Sequence, residues 1–325
     1  MRIRAESKRS AVRVLFGAAA VALALPFASV SQAQPGSLTI LSGSPGGSWY
    51  PIAAGISEIL GSEGVPTNAE VGAGVANMAR ISRGDAELGV TTTTVPPVAE
   101  AGIEPFKAPI TNVRAIAVLF PSHQQIAVTQ ASGVKSIAEL EGRKFNCESV
   151  GNSTQAALVD VLKAAGTSES EVDCTRGSVS FGADAIKDGN IIGFTTLSAF
   201  PNGTFTELFH SVDMRMLPIP EEYYETVAKI NPGYSYSEIP ANTYPGQDEA
   251  VPTLRSDLMM IANESMSDDD AYWIVKTLLS RIEDIKKVHA ALRPMTPEYM
   301  AAVAGIELHP GAARAFREAG IEVGD

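Results

Sequence analysis

Short apolar runs alternate along this chain with stretches whose apolar positions recur every three or four residues, and glycine-rich turns join the two kinds. The clearest case is the stretch 37–60, SLTILSGSPGGSWYPIAAGISEIL. Residues 38–41 predict a buried strand. Gly43-Ser44-Pro45-Gly46-Gly47 then breaks regular structure, since glycine tolerates positive φ and proline cannot continue a ladder. Ile52, Ile56, Ile59 and Leu60 predict a helix, with Ser48 at its N-cap. Such a strand, turn and helix start gather free backbone N–H groups and the positive end of the helix dipole at one point. The arrangement suits an anion, or is a tight turn with no ligand.

The same pattern repeats. Residues 67–71 predict a strand, Gly72-Ala73-Gly74 a turn, 75–83 a helix, 86–91 a strand and 113–120 a strongly apolar strand. This alternation predicts an α/β fold with a parallel sheet and loops at the strands' carboxyl ends. Pro121-Ser122-His123 separates that last strand from another at 125–130, which reads as a crossover between domains. Alternation then resumes, with strands at 143–148, 172–175, 191–196 and 214–218 and a helix at 155–165 behind the turn Gly151-Asn152-Ser153-Thr154. Residues 240–252 read as the way back, 254–262 as a long strand, and Ser267 as the cap of a helix with acidic residues in its first turn. The turns 43–48, 72–77 and 151–155 all sit at strand ends. If the two halves face each other, helix N-termini converge on one cleft suited to a small anion.

The N-terminus changes the compartment. Arg2, Arg4, Lys8 and Arg9 precede an apolar core at 12–25, and Ser31-Gln32-Ala33 offers small residues for cleavage, so residues 1–33 read as a secretory signal peptide. An uncleaved anchor is the alternative, for which the apolar core is short. The protein is expected in the periplasm. The whole chain carries a net charge of −12, and without the leader −16. That balance disfavours nucleic acid and anionic membrane surfaces as partners. The remaining 292 residues suffice for two domains. The two cysteines, Cys147 and Cys174, fall in strand-like runs, and are either a disulfide or two buried thiols on neighbouring strands.

Enzyme signatures are not found. No Lys-Ser or Lys-Thr follows the first glycine turn, as a P-loop needs, and G-x-G-x-x-G does not fit it. His123, His210, His289 and His309 show no metal spacing, and neither H-E-x-x-H nor G-x-S-x-G occurs. His309 reads as the cap of the final helix. Arg80, Arg114 and Arg176 are planar donors able to clamp a carboxylate. None lies in a turn assigned to the cleft, so each reads as an ion pair at the surface or between lobes.

Six motifs together resemble one family. GSPGGSWYP (43–51), VGAGVANMARISRGDAELGV (71–90), GNSTQ (151–155), FPNGTFTEL (200–208), YPGQDEAVPT (244–253) and LHPGAARAF (308–316) occur in order. The chain resembles the TAXI-type solute receptors of tripartite ATP-independent periplasmic (TRAP) transporters. It departs from the usual pattern at Trp49, at Ala73, Gly74 and Ala76, where a serine hydroxyl is lost, at Thr92-Thr93-Thr94, at Asn152 and at 192–195. The resemblance implies a two-lobed, type II periplasmic-binding-protein-like α/β fold with a hinge and a central ligand cleft. It places lobe I at 34–122, lobe II at 123–242, and the return crossover with the rest of lobe I at 243–325.

The implied function is non-enzymatic and cofactor-free. A monomer captures a small organic acid or amino acid, dicarboxylate- or glutamate-like, and delivers it to membrane-embedded TRAP permease subunits. A sensor subunit for a membrane kinase and an exported hydrolase are the alternatives. Ser44, Gly46, Gly47 and Ser48 are expected to donate to one ligand carboxylate, and Asn152, Ser153, Thr154 and Gln155 to do so from the other lobe; helix capping alone is the other reading of both sets. Trp49 and Tyr50 either wall the pocket or belong to the core. Asn77 is either ligand-facing, as expected here, or fixes its loop. Gly74, Thr92, Thr93 and Thr196 complete the expected set from their places at strand ends and turns.

Overall fold

The structure, a computed structural model, describes Met1 and residues 34–324. Apart from Met1, the expected signal segment 1–33 lies outside the described residues. The first half of the sheet begins as the apolar pattern requires: β1 (Leu38–Leu41), α1 (Trp49–Ser62), β2 (Thr67–Glu70), α2 (Gly74–Ser82), β3 (Leu88–Thr92) and the short α3 (Val95–Glu100). The prolines Pro96 and Pro97 fall in the first turn of α3, where a missing N–H costs nothing. Next comes β4 (Val113–Thr129), followed by β5 (Lys144–Asn146), α4 (Ser153–Ala164), β6 (Asp173–Thr175), α5 (Val179–Lys187), β7 (Gly193–Ser198), α6 (Gly203–Ser211), β8 (Met214–Met216), α7 (Glu221–Ile230) and β9 (Ser235–Ile239). The chain returns along β10 (Val251–Asn263) and ends in α8 (Asp268–Ser280), α9 (Ile282–Val288), α10 (Pro297–Ala301) and α11 (Pro310–Glu318).

One sheet runs in the order β2-β1-β3-β10-β4-β7-β5-β6, with β8 on β4 and β9 on β10. β1, β2 and β3 are mutually parallel on one side, and β5, β6 and β7 on the other. The antiparallel pair β4 and β10 joins the two sets. β4 pairs β10 from Val113 to His123 and β7 from His123 to Val128, while β10 pairs β9 before Leu258 and β3 after it. Mixed sheets of this kind carry helices on both faces.

The expected break at Pro121-Ser122-His123 is not there. β4 is continuous through it. Pro121 stands opposite Asp257, whose backbone carbonyl accepts from Thr93 N–H (3.0 Å) and whose N–H goes to Thr93 Oγ1 (3.2 Å). β10 therefore asks Pro121 for no N–H, and β7 begins pairing only at His123, so the missing donor leaves no gap.

The largest apolar cluster is continuous across the sheet. It takes Ile52, Ile56 and Leu60 from α1, Phe120 and Ile126 from β4, Leu158 and Leu162 from α4 and Phe316 from α11. Their spacing is the one the helical and strand periods predict. Cys147 and Cys174 form a disulfide beside the β5–β6 pair, with Cα atoms 5.5 Å apart, and no free cysteine remains. Among the described residues no helix is long and apolar enough to cross a membrane.

Candidate functional site

The first glycine turn meets the other half of the sheet directly. Gly46 has φ +86°, and a Cβ there would lie 2.5 Å from Ser180 Oγ at the start of α5. Glycine is therefore required both by backbone conformation and by the approach of the facing chain. The carbonyl of Gly46 accepts from Thr204 Oγ1 (3.0 Å) and Asn202 Nδ2 (3.3 Å), and that of Pro45 from Ser180 N–H (3.4 Å). Gly74, at the start of α2, is pinned in the same way: a Cβ would sit 2.1 Å from Ser153 Oγ. Nearby, Ala76 N–H donates to Gly151 O (3.1 Å). The two halves thus touch at the N-terminal ends of α1 and α2 on one side and of α4, α5 and α6 on the other.

Ser48 occupies the N-cap position but does not cap. Its backbone is already helical (φ −73°, ψ −21°), and its hydroxyl makes no capping bond. Instead, Ser48 Oγ accepts Ala199 N–H (3.1 Å) across the cleft. Trp49 is buried, and its Nε1–H donates to Ser122 Oγ on β4 (3.1 Å), so one indole both packs in the core and walls the cleft. Ser44 Oγ donates to Glu148 Oε1 (2.9 Å). On the facing side Asn152 caps α4 by accepting Thr154 N–H (2.9 Å), and Thr154 Oγ1 accepts Leu197 N–H (3.0 Å). Ser153 Oγ is buried without a hydrogen-bond partner among the described residues.

A cavity of only about 10 Å³ remains between these elements, lined by Ser44, Gly47, Trp49, Asn152, Thr154, Thr196 and Leu197. Six of these seven were expected from the sequence. That volume is room for about one water molecule, far below the ~300–1,000 Å³ of ligand pockets, so the halves must part before a solute can enter. With both halves in direct hydrogen-bonding contact, the cleft is in a closed arrangement.

Other expected residues lie elsewhere. Asn77 is spent on its own loop: its Nδ2 donates to Leu41 O, Ser42 O and Val90 O (3.1, 2.8 and 2.8 Å), and its Oδ1 accepts Ala73 N–H (3.2 Å). The loop-fixing reading replaces the ligand-facing one. Thr92 Oγ1 bonds Thr94 Oγ1 (2.9 Å), and Thr93 Oγ1 donates to Gly233 O (2.9 Å). Both threonines are buried and apart from the cavity. Gln155 Nε2 reaches Glu169 (2.9 Å), and Tyr50 is exposed. Arg80, Arg114 and Arg176 pair with Glu70, Glu264 and Glu169. His309 caps α11, accepting Gly311 N–H (3.3 Å).

Glu148 was missed. It is fully buried, and its backbone stands at φ +65°, a conformation that costs a non-glycine residue about 1–2 kcal/mol. Burial raises its pKa above the usual glutamate range, while hydrogen bonds from Ser149 N–H, Ser44 and Val179 N–H oppose the shift. His123, on β4, packs against Phe200 with the rings tilted by 53° and their centroids 4.5 Å apart. Burial and then the Arg255 charge lower the His123 pKa to about 4, so the ring is neutral at physiological pH.

A family model described as NMT1-like matches residues 40–320. The chain belongs to the NMT1-like family. Among solved structures, MatC from Rhodopseudomonas palustris with bound malate is similar at 11% identity, with 79% of this chain and 88% of that one covered and a TM-score of 0.54. A structure described as a periplasmic transporter is 14% identical, covering 87% and 93%, with a TM-score of 0.52. The periplasmic aliphatic sulphonate-binding protein SsuA of Escherichia coli is 16% identical, covering 88% and 84%, with a TM-score of 0.47. The NMT1-like chain thus has the two-lobed α/β fold of periplasmic binding proteins.

Proposed function

We propose that this chain is a periplasmic solute-binding protein that closes on a small organic anion or amino acid and delivers it to a membrane permease. The observation that carries the reading is the meeting of the first glycine turn with the start of α4 around a water-sized space, with Ser48 joining the two halves through Ala199. The family and the fold support it. Within that reading the chain is a TAXI-type receptor of a TRAP transporter, exported by its N-terminal segment and acting as a monomer without catalysis. The lobes are those the resemblance places at 34–122 with 243–325, and at 123–242. Ligand contacts come from Ser44, Gly47, Trp49, Asn152, Ser153, Thr154 and Thr196.

A thermal-shift panel of carboxylic acids, amino acids, 2-oxo acids and sulfonates tests this, because binding to the folded state alone raises the melting temperature by mass action. A saturable shift with one acid class, weakened about tenfold or more by Ser153→Ala with Thr154→Ala, is the expected result. A shift from an acid whose affinity the double variant leaves intact would place the ligand elsewhere.

A further inference from the structure

Glu148 sets a buried carboxyl directly behind Ser44, one of the residues that line the cavity. Its position is fixed from both sides along the chain. Cys147 before it is tied to Cys174, and the Glu148 carbonyl accepts from Arg176 Nη1 (3.3 Å), which also pairs with Glu169 (2.8 Å). The carboxylate meets only donors: Ser44 Oγ from the opposite half (2.9 Å), Ser149 N–H (3.2 Å) and Val179 N–H at the first turn of α5. It therefore consumes the hydroxyl of Ser44, a donor the sequence assigned to a ligand, together with the N-terminal end of α5. None of the residues lining the cavity is Lys, Arg or His. The donor left unpaired at this junction is Ser153 Oγ at the start of α4, buried and packed against Gly74, which also touches the Trp49 ring.

We propose that the Glu148 carboxyl, set directly behind the cavity-lining Ser44, opposes a second acidic group on that side, so that the cleft selects small acids of a single negative charge and rejects dianions. The inference rests on the solute-binding reading and replaces its dicarboxylate expectation with monocarboxylates or monosulfonates. The physical reason is charge. A second carboxylate beside a buried one must either lose much of its affinity to repulsion or take up a proton, since two like charges in a water-poor site do not both stay ionised. The α4 end, with a dipole and a free hydroxyl but no side-chain cation, matches one negative charge.

Calorimetric titration with chain-length-matched pairs, butyrate against succinate, valerate against glutarate and propanesulfonate against 1,3-propanedisulfonate, tests it. The protein, Glu148→Gly and Glu148→Gln are compared. Glycine suits the positive φ at this position, so a folding failure of the glutamine variant leaves a second probe. The protein should bind the better monoanion at least about tenfold more tightly than its matched dianion, and both variants should shrink that ratio by about tenfold or more. A protein that binds dianions as tightly as monoanions, or a ratio that neither variant moves, overturns the Glu148 assignment and leaves the solute-binding reading standing. Failure of every acid to bind overturns both.

Discussion

Ser48 Oγ, at the start of α1, accepts the backbone N–H of Ala199, just past the end of β7, at 3.1 Å. The two residues lie 151 positions apart, in the two halves of the sheet, and both are buried. A residue placed by local pattern to cap its own helix thus holds the far half of the sheet.

Replacing Ser48 by alanine removes that acceptor and leaves Ala199 N–H without its partner. A lost bond of this kind costs about 1 kcal/mol, so ligand affinity in calorimetry should fall by roughly fivefold. Because Ser48 makes no capping bond, α1 itself should be unaffected. Unchanged affinity would mean that the contact does not contribute to the liganded closed state.

Asn77→Ala tests the opposite assignment. Its amide satisfies three buried carbonyls and one N–H of the loops around β1, α2 and β3. Denaturant unfolding should show a loss of about 3 kcal/mol, with affinity of the folded protein changed by less than about threefold. Intact stability with a large loss of affinity would return Asn77 to the ligand.

The pH dependence of stability carries the mark of Glu148. Its native pKa is raised by burial, so between the unfolded and native values the folded state holds more protons than the unfolded state. Stability contributed there is present at low pH and lost as pH rises through the native value. The melting temperature of Glu148→Gln should gain on that of the parent protein as pH goes from about 4 to about 8. A constant difference over that range would show that the carboxyl is not desolvated.

Reduction of the Cys147–Cys174 bond opens a loop between residues 27 positions apart, which loop-closure entropy values at about 3–4 kcal/mol. Thermal unfolding with and without reductant should show a clear drop in melting temperature. An unchanged midpoint would mean that β5 and β6 are held without the bond.

What could be read in the sequence follows from the range of the interaction involved. β1, α1 and α4 are written in their own apolar spacing, and Asn152 announces its capping role within three residues of its target. β9 was not foreseen, because its SYSEI run has only two apolar residues, Tyr236 and Ile239, and they are not at two-residue spacing. Pro121 was read as a break because its local chemistry says so. Only the pairing of Asp257 with Thr93 shows that its absent N–H is not needed. The site behaves likewise. Turns at strand ends located Ser44, Gly47, Trp49, Asn152, Thr154 and Thr196, whereas Glu148, Asn202 and Thr204 act through partners more than a hundred residues away. Asn202 is marked locally only as the cap of α6, which says nothing of its bond to Gly46, and for Glu148 an acidic side chain just before a glycine turn was a sign that could have been weighed.

The central claim is closure of the two halves on a solute, and small-angle scattering of the protein with and without an acid that raises its melting temperature tests it most directly. A ligand that bridges the Ser48 and Thr154 sides should favour the closed arrangement and reduce the radius of gyration at saturation. A radius unchanged between the free and saturated protein would contradict that account.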